Sequence, residues 1–175
     1  MVTTVCWVRH GETDWNREGR LQAARCARHV AAMPWDALVA SPLSRARDTA
    51  EVIAQQAGLA PPALWNDVME RHYGDGEGLT IAERRLRFPD GVIPGVESSA
   101  AFGQRVEAAL ERLAGDYAGQ RVLVVAHGGT INGVLGIVAH GQVGRVHEVL
   151  ANCSLSWTVH DGERWELGAY NQRVG

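Results

Sequence analysis

Two histidines, His10 and His127, each follow an apolar run, His10 with Arg9 between, and stand directly before a glycine. In an open α/β sheet, ligands bind beyond the carboxyl ends of the strands, so both imidazoles are expected to face one crevice. Arg9 precedes the first histidine, and Arg45 opens a helical stretch in the connection Ser41-Pro42-Leu43-Ser44-Arg45-Ala46. There the free N–H groups of a helix start add to the attraction of a guanidinium for anions. Glu70 closes a third candidate strand. Four strand ends thus offer two imidazoles, at least two guanidiniums and one carboxylate to a single place. Such a set suits chemistry on an anionic group: guanidiniums hold its oxygens, an imidazole attacks, and a carboxylic acid protonates the leaving oxygen. A metal centre built from His10, His72, His127 and Glu70 is the alternative on residue type alone. None of these residues has ligand spacing such as H-E-x-x-H, and the neighbouring arginines repel a cation, so no metal is expected.

The elements that must position these groups follow from the apolar pattern. Residues 2–8 are β-branched and apolar and stop at Arg9-His10-Gly11, which reads as a buried strand running into a polar loop. Residues 23–32 read as a helix, 37–40 as a short strand, and 44–57 as a helix closed by Gly58, with Pro61 and Pro62 as punctuation. Residues 64–69 are a further candidate strand and 74–78 a glycine-rich loop. Residues 98–113 form an amphipathic helix with Phe102, Val106, Ala109, Leu110 and Leu113 on one face. The continuous apolar run 122–126, halted by His127-Gly128-Gly129, reads as a central parallel strand. Two late runs, 154–160 and 164–170, flank Asp161-Gly162-Glu163, a tight-turn signal. Alternating strands and helices predict an α/β fold: a three-layer, doubly wound, mostly parallel sheet with a C-terminal antiparallel edge hairpin. Trp7 is expected in the core, Arg47 in a solvated or salt-bridged position, and His29, His140, His147 and His160 at surface or packing positions.

Composition sets the limits. A chain of 175 residues, 46% hydrophobic and 21% charged, buries one core and is too short for two ordinary domains, so residues 1–175 are expected to form a single domain. A net charge of −3 gives no global attraction for nucleic acid or an anionic membrane, which leaves a local pocket as the place for anion binding. All 17 basic residues are arginines; without a lysine there is neither a P-loop nor Schiff-base chemistry. Cys6, Cys26 and Cys153 are odd in number and widely spaced, which indicates neither a disulfide framework nor a thiolate zinc site and fits a reducing cytoplasm. The apolar start and the lack of a membrane-length apolar run lead to the expectation of neither an export leader nor a membrane span.

The motifs themselves carry a resemblance. Arg9-His10-Gly11-Glu12-Thr13 with Trp15-Asn16 resembles the signature of the histidine phosphatase superfamily, whose best-known members are cofactor-dependent phosphoglycerate mutases. Residues 41–50 look like its S-x-L-x-R-A-x-x-T-A segment, Glu70-Arg71-His72-Tyr73-Gly74 like the segment carrying the acid, and residues 94–98 like P-G-x-E-S. Val125-Ala126-His127-Gly128-Gly129 is similar to the second histidine motif, and Asn152-Cys153-Ser154 to the start of the last strands. The resemblance implies His10 as nucleophile, Arg9, Arg45 and His127 as phosphate clamp, and Glu70 as proton donor. It further implies Asn16, Thr13 and Gly128 as substrate contacts, Arg71 and Tyr73 as contacts to the rest of the substrate, and no cofactor. A phosphoryl group in flight spreads negative charge over three oxygens, which fixed cations and N–H donors stabilise.

One departure matters. After Gly19-Arg20-Leu21-Gln22 the family usually continues through a loop that borders the site, whereas here the chain passes straight to Ala23-Ala24-Arg25. A more open pocket favours hydrolysis, because a mutase must keep its phosphoenzyme dry. Against this, Glu70-Arg71-His72-Tyr73-Gly74 looks mutase-like. The expectation is a phosphatase acting on a small phosphoester, with a phosphoglycerate mutase as the second reading and a non-catalytic phosphoester- or protein-binding module as the third. Arg84, Arg85 and Arg87 form either a solvated helix face or a substrate-recognition cluster. A homodimer is an open expectation.

Overall fold

A computed structural model describes residues 1–12, 17–144 and 149–174. Thr13, Asn16 and His147 lie outside the described residues. The elements run β1 (Thr3–Arg9), α1 (Arg17–Val30), β2 (Ala37–Ala40), α2 (Ser44–Ala57), β3 (Ala63–Leu64), α3 (Ile81–Arg87), α4 (Ser99–Asp116), β4 (Arg121–Ala126), α5 (Gly128–Val138), β5 (Leu155–His160) and β6 (Trp165–Leu167), with 3-10 turns at Asn66–Val68 and Gly74–Gly76. They build one six-stranded sheet in the order β3-β2-β4-β1-β5-β6. Strands β1, β2, β3 and β4 run parallel, while β5 lies antiparallel to β1 and β6 antiparallel to β5. This is the three-layer, mostly parallel α/β sheet with an antiparallel C-terminal edge that the alternation of elements predicts.

Side chains alternate across the sheet, and so does the core. One set, with Val5, Trp7, Val122 and Val124, packs against α4 and α5 through Val106, Leu110, Leu113, Ile131 and Leu135. The other set, with Cys6, Val8, Leu123 and Val125, packs against α1 and α2 through Cys26, Ala27, Val30, Ala50 and Ile53. With both faces covered, β1 and β4 are continuous apolar runs rather than alternating ones. Trp7 is fully buried, and its indole N–H donates to Thr158 Oγ1 at 2.9 Å, which satisfies the polar end of an otherwise apolar side chain.

Four elements differ from the sequence expectation. Helix α1 begins at Arg17 rather than at residue 23, because its first turns carry polar residues that apolar periodicity does not register. The strand expected over 64–69 is only Ala63–Leu64, pairing with β2 alone; the chain then tightens into the Asn66–Val68 turn, so Glu70 follows a 3-10 turn instead of ending a strand. Helix α3, for which the sequence offers only a solvated face around Arg84, Arg85 and Arg87 and no bounds, starts with a reciprocal capping box between Thr80 and Glu83. Helix α5 was also missed: four glycines in eleven residues depress its intrinsic propensity, and burial of Ile131, Val134, Leu135 and Val138 holds it helical. No helix among the described residues is long and apolar enough to cross a membrane.

Candidate active site

The carboxyl ends of β1, β4 and β2 lie side by side, and each delivers a polar residue. His10 follows β1, with its backbone N–H on the Ala126 carbonyl at 3.0 Å. His127 follows β4, and Ser41 follows β2, with its N–H on the Val125 carbonyl at 3.0 Å. The two imidazoles stand with ring centroids 5.0 Å apart and tilted by 58°. His10 is 5% exposed and His127 fully buried.

The hydrogen bonds set which ring nitrogen of each histidine faces the site with a lone pair or a proton. His10 Nδ1 sits 2.5 Å from the Gly11 carbonyl, which can only accept, so Nδ1 carries the proton and Nε2 presents its lone pair. His127 Nε2 sits 2.8 Å from Ser41 Oγ, which itself accepts the Leu43 N–H at 3.3 Å. With the Ser41 hydroxyl donating to Nε2, His127 Nδ1 is the N–H donor; this buried Nδ1 has no hydrogen-bond partner among the described residues. Burial, aided by the Arg45 and Arg9 charges, pushes His10 down to about 4 against the bond to Gly11. Burial, then His10, Arg45, Arg9 and Arg105, push His127 down to about 2. Both rings are therefore neutral near pH 7.

Arg9 reaches in from the last position of β1. Its Nη1 donates to the Leu150 carbonyl, while its Nε is buried with no partner among the described residues. The backbone of Arg9 is fixed by Cys153, whose N–H donates to the Arg9 carbonyl at 2.9 Å from a left-handed conformation with φ 55°. Arg45 lies in the first turn of α2, close enough for its charge to act on Arg9, His10 and His127. Thr49, one turn further on, accepts the Gly11 N–H at 3.2 Å and donates to the Arg45 carbonyl at 2.8 Å, tying the His10 loop to the helix. Gly128 packs beside Arg9: a Cβ there would stand 3.5 Å from Arg9 Nε.

Glu70 closes the site from the other side. Its carboxylate accepts the Arg71 N–H at 3.0 Å and the Gly129 N–H at 3.2 Å, bridging its own segment to the first turn of α5. Beyond Glu70 opens a cavity lined by Arg71, Tyr73, Phe102, Gly129, Asn132 and Gly133. Arg71 donates through Nε and Nη2 to the Glu97 carbonyl at 3.1 and 2.9 Å. Tyr73 is stacked under the Arg84 guanidinium at 4.0 Å, and Arg84 and Arg85 line a second hollow that shares Arg71 and Tyr73. Arg47 pairs with Asp48 and Glu51 away from the site.

The structure thus brings together His10, Glu70, Arg9, Arg45, His127 and Gly128, with Arg71 and Tyr73 at the margin. Thr13 and Asn16 fall outside the described residues. Gln22, where the family loop departs, accepts the Glu12 N–H at 3.2 Å. Sequence reasoning missed Ser41, Thr49 and Gly129 as parts of the site. Arg45 and Thr49 stand four apart on one helix face, a usable signal; the pairing of Ser41 with His127 spans 86 positions and has no local trace. Among the described residues no three His, Cys, Asp or Glu side chains are grouped as a metal site.

Paired imidazoles and one arginine at adjacent strand ends, with a second arginine in the first turn of α2 and a carboxylate after a 3-10 turn, define an enzyme class for which the comparisons supply the family. The sequence model of the histidine phosphatase superfamily (branch 1) matches residues 5–173, and the chain belongs to that superfamily. The uncharacterized phosphatase PhoE of Bacillus subtilis (strain 168) is 35% identical over 184 residues, covering 97% of this chain and 95% of that protein. Phosphoglycerate mutase-like protein 4 of Arabidopsis thaliana is 30% identical over 187 residues, covering 91% and 81%. The solved mycobacterial glucosyl-3-phosphoglycerate phosphatase, complexed with VO3, superposes with a TM-score of 0.81 at 25% identity over 97% of this chain and 98% of that one. The chain is an enzyme of the histidine-phosphatase type.

Proposed function

We propose that the chain hydrolyses small acidic phosphomonoesters through a phosphohistidine on His10. The observation that carries this reading is the state of His10: a neutral, buried imidazole with Nδ1–H held by the Gly11 carbonyl and Nε2 left to attack. In the first step Nε2 forms a bond to phosphorus, the ester P–O bond breaks, and the leaving oxygen takes the proton of Glu70. In the second step the Glu70 carboxylate takes a proton from water, the water oxygen attacks phosphorus, and the P–N electron pair returns to Nε2. Arg9, Arg45 and the Nδ1–H of His127 hold the equatorial oxygens as charge builds on them. Because these groups supply the positive charge, hydrolysis is expected to run without a divalent ion. Thr13 and Asn16 belong to the same reading as phosphate contacts.

The acidic preference rests on Arg71. Its Nη1 makes no hydrogen bond among the described residues, and the side chain lines the cavity next to Glu70. It is available to a substrate carboxylate, a charge-assisted contact that typically contributes about 1.5 to 3 kcal/mol, or a roughly tenfold to hundredfold preference. The phosphatase-named relative supports hydrolysis, and the glucosyl-3-phosphoglycerate phosphatase, named for an acidic ester, supports a substrate of that kind. The mutase reading is favoured by the Glu70-Arg71-His72-Tyr73-Gly74 segment and by the mutase-named relative. One catalytic unit spanning the chain, at work in the reducing cytoplasm, completes the reading; Cys6, Cys26 and Cys153 are all free thiols.

The test is a panel of acidic and neutral phosphomonoesters plus an aryl phosphate, assayed in excess chelator beside a phosphoglycerate mutase assay. We expect hydrolysis to persist in chelator, acidic esters to be preferred, and Arg71→Ala to remove the preference while sparing the aryl ester. Equal kcat/KM for acidic and neutral esters, unchanged in Arg71→Ala, contradicts the assigned specificity. Faster mutase turnover than hydrolysis selects the second reading.

A further inference from the structure

We infer that Arg105, oriented by Glu97, is a positioning residue that sets the placement of the proton donor Glu70; the inference rests on the reading of Glu70 as that donor. Arg105 projects from α4 and meets the segment that carries Glu70 at its carbonyl oxygens. Its Nη1 donates to Asp67 O at 2.9 Å and Met69 O at 2.8 Å, and its Nη2 lies 3.5 Å from Glu70 O. Three carbonyls of one tight bend thus converge on a single cation. Without it only Met69 O keeps a side-chain donor among the described residues, from Thr130, and no continuing helix uses these carbonyls at the end of the Asn66–Val68 turn.

The guanidinium is itself held in one orientation. Glu97 binds it in bidentate fashion, Oε1 to Nε at 2.9 Å and Oε2 to Nη2 at 2.8 Å, with the two side chains 16% and 20% exposed. Glu97 also takes the His72 N–H on Oε2 at 3.2 Å, and its backbone carbonyl takes Arg71 Nε and Nη2. The pair therefore fastens the backbone on both sides of Glu70, from Asp67 to His72, to helix α4.

The opposing half of the site is fastened separately. Thr130 on α5 donates to Met69 O at 2.7 Å, and Gly129 N–H holds Glu70 Oε2. Position of the carboxyl between the α4 and α5 anchors decides whether its proton meets the leaving oxygen, and a misplacement of about 1 Å costs about a hundredfold in rate. Arg105 acts through this placement, and its charge also helps keep His127 neutral.

A positioning role for the acid predicts a dependence on the leaving group. An aryl phosphate expels a stabilised phenolate that needs little help from a proton, whereas an alkyl phosphate expels an alkoxide that needs the proton in the transition state. The experiment measures kcat/KM, which reports phosphoenzyme formation, for an aryl and an alkyl phosphomonoester in the wild type, Arg105→Lys and Glu97→Gln. Vanadate inhibition reads the integrity of the His10 pocket, and thermal unfolding reads the fold. We expect Arg105→Lys to lower kcat/KM on the alkyl ester by about a hundredfold, at least tenfold more than on the aryl ester, with vanadate inhibition retained. Glu97→Gln, which keeps an acceptor but loses the charge, should shift the same ratio to a lesser extent; it carries the test alone should Arg105→Lys fail to fold. Equal losses on both esters, or no loss on either, overturn the inference. A wild-type chain inert towards both esters overturns the phosphatase reading, and this inference with it.

Discussion

In the proposed mechanism His10 and His127 act as neutral rings buried beside cations, and that burial leaves a signature in pH. Both have an ordinary value of 6.5, and the folded protein lowers His10 to about 4 and His127 to about 2. As pH falls below about 6.5, the unfolded chain binds protons that the folded chain refuses. The contribution of these rings to stability is therefore fully present above that point and is lost progressively as pH falls towards their folded values. His127→Gln removes one such site. The drop in Tm between pH 7.5 and pH 5 should be smaller in this variant than in the wild type, as read by thermal unfolding in matched buffers; an equal drop shows that burial does not hold His127 neutral. At this scale the sequence was informative where a residue type coincided with a strand end, as for Arg9, His10 and His127. It was silent where function depends on contacts far apart in sequence. Arg105 stands 36 positions from Met69, whose carbonyl it caps, and next to the apolar positions Phe102 and Val106, where it reads as a flanking charge.

At the scale of elements, the legible segments were those in which one apolar period runs without interruption. Helix α2 and strand β2 fall where the pattern puts them, down to Gly58 in the left-handed C-cap position at φ 66°. Helix α5 was not legible, because glycine at 128, 129, 133 and 136 argues against a helix unless tertiary packing is known. Two of these glycines have structural reasons. A Cβ on Gly133 would stand 3.0 Å from the Phe102 ring, and a Cβ on Gly129 would collide with the Glu70 carboxylate. Gly129→Ala therefore separates stability from catalysis. Gly129 is the second residue of α5, where alanine gains less over glycine than the about 1 kcal/mol of a helix interior, enough to offset part of the displacement, so the variant should unfold close to the wild type. Displacement of Glu70 should nevertheless slow turnover of an alkyl phosphoester by roughly a hundredfold, the range assigned to a general acid. Steady-state kinetics beside denaturant unfolding checks this; wild-type kcat in Gly129→Ala contradicts the placement of Glu70 against α5.

At the scale of the whole molecule, the sheet order gathers what the chain scatters. Strands β1, β4 and β2 are neighbours although α1 and then some eighty residues intervene in sequence, and their adjacent carboxyl ends set His10, His127 and Ser41 together. Alternation of strands and helices made the fold class legible, and the Asp161-Gly162 turn made the closing hairpin legible, with Asp161 Oδ1 accepting the Glu163 and Arg164 N–H groups at 2.8 and 3.0 Å. Strand order was not legible, because local pattern does not say which parallel strands are neighbours. Nor was the role of the segment before β5, which returns Cys153 and Ser154 to the end of β1 and fixes Arg9. In the proposed mechanism this architecture serves one atom, His10 Nε2. The most direct test is rapid quenching of the enzyme during turnover of a phosphomonoester, followed by intact mass and site mapping of the phosphorylated protein. A single phosphoryl group on His10, labile to acid, stable to base and absent from His10→Ala, is the expected result; a phosphoryl group on any other residue, or wild-type turnover by His10→Ala, contradicts it.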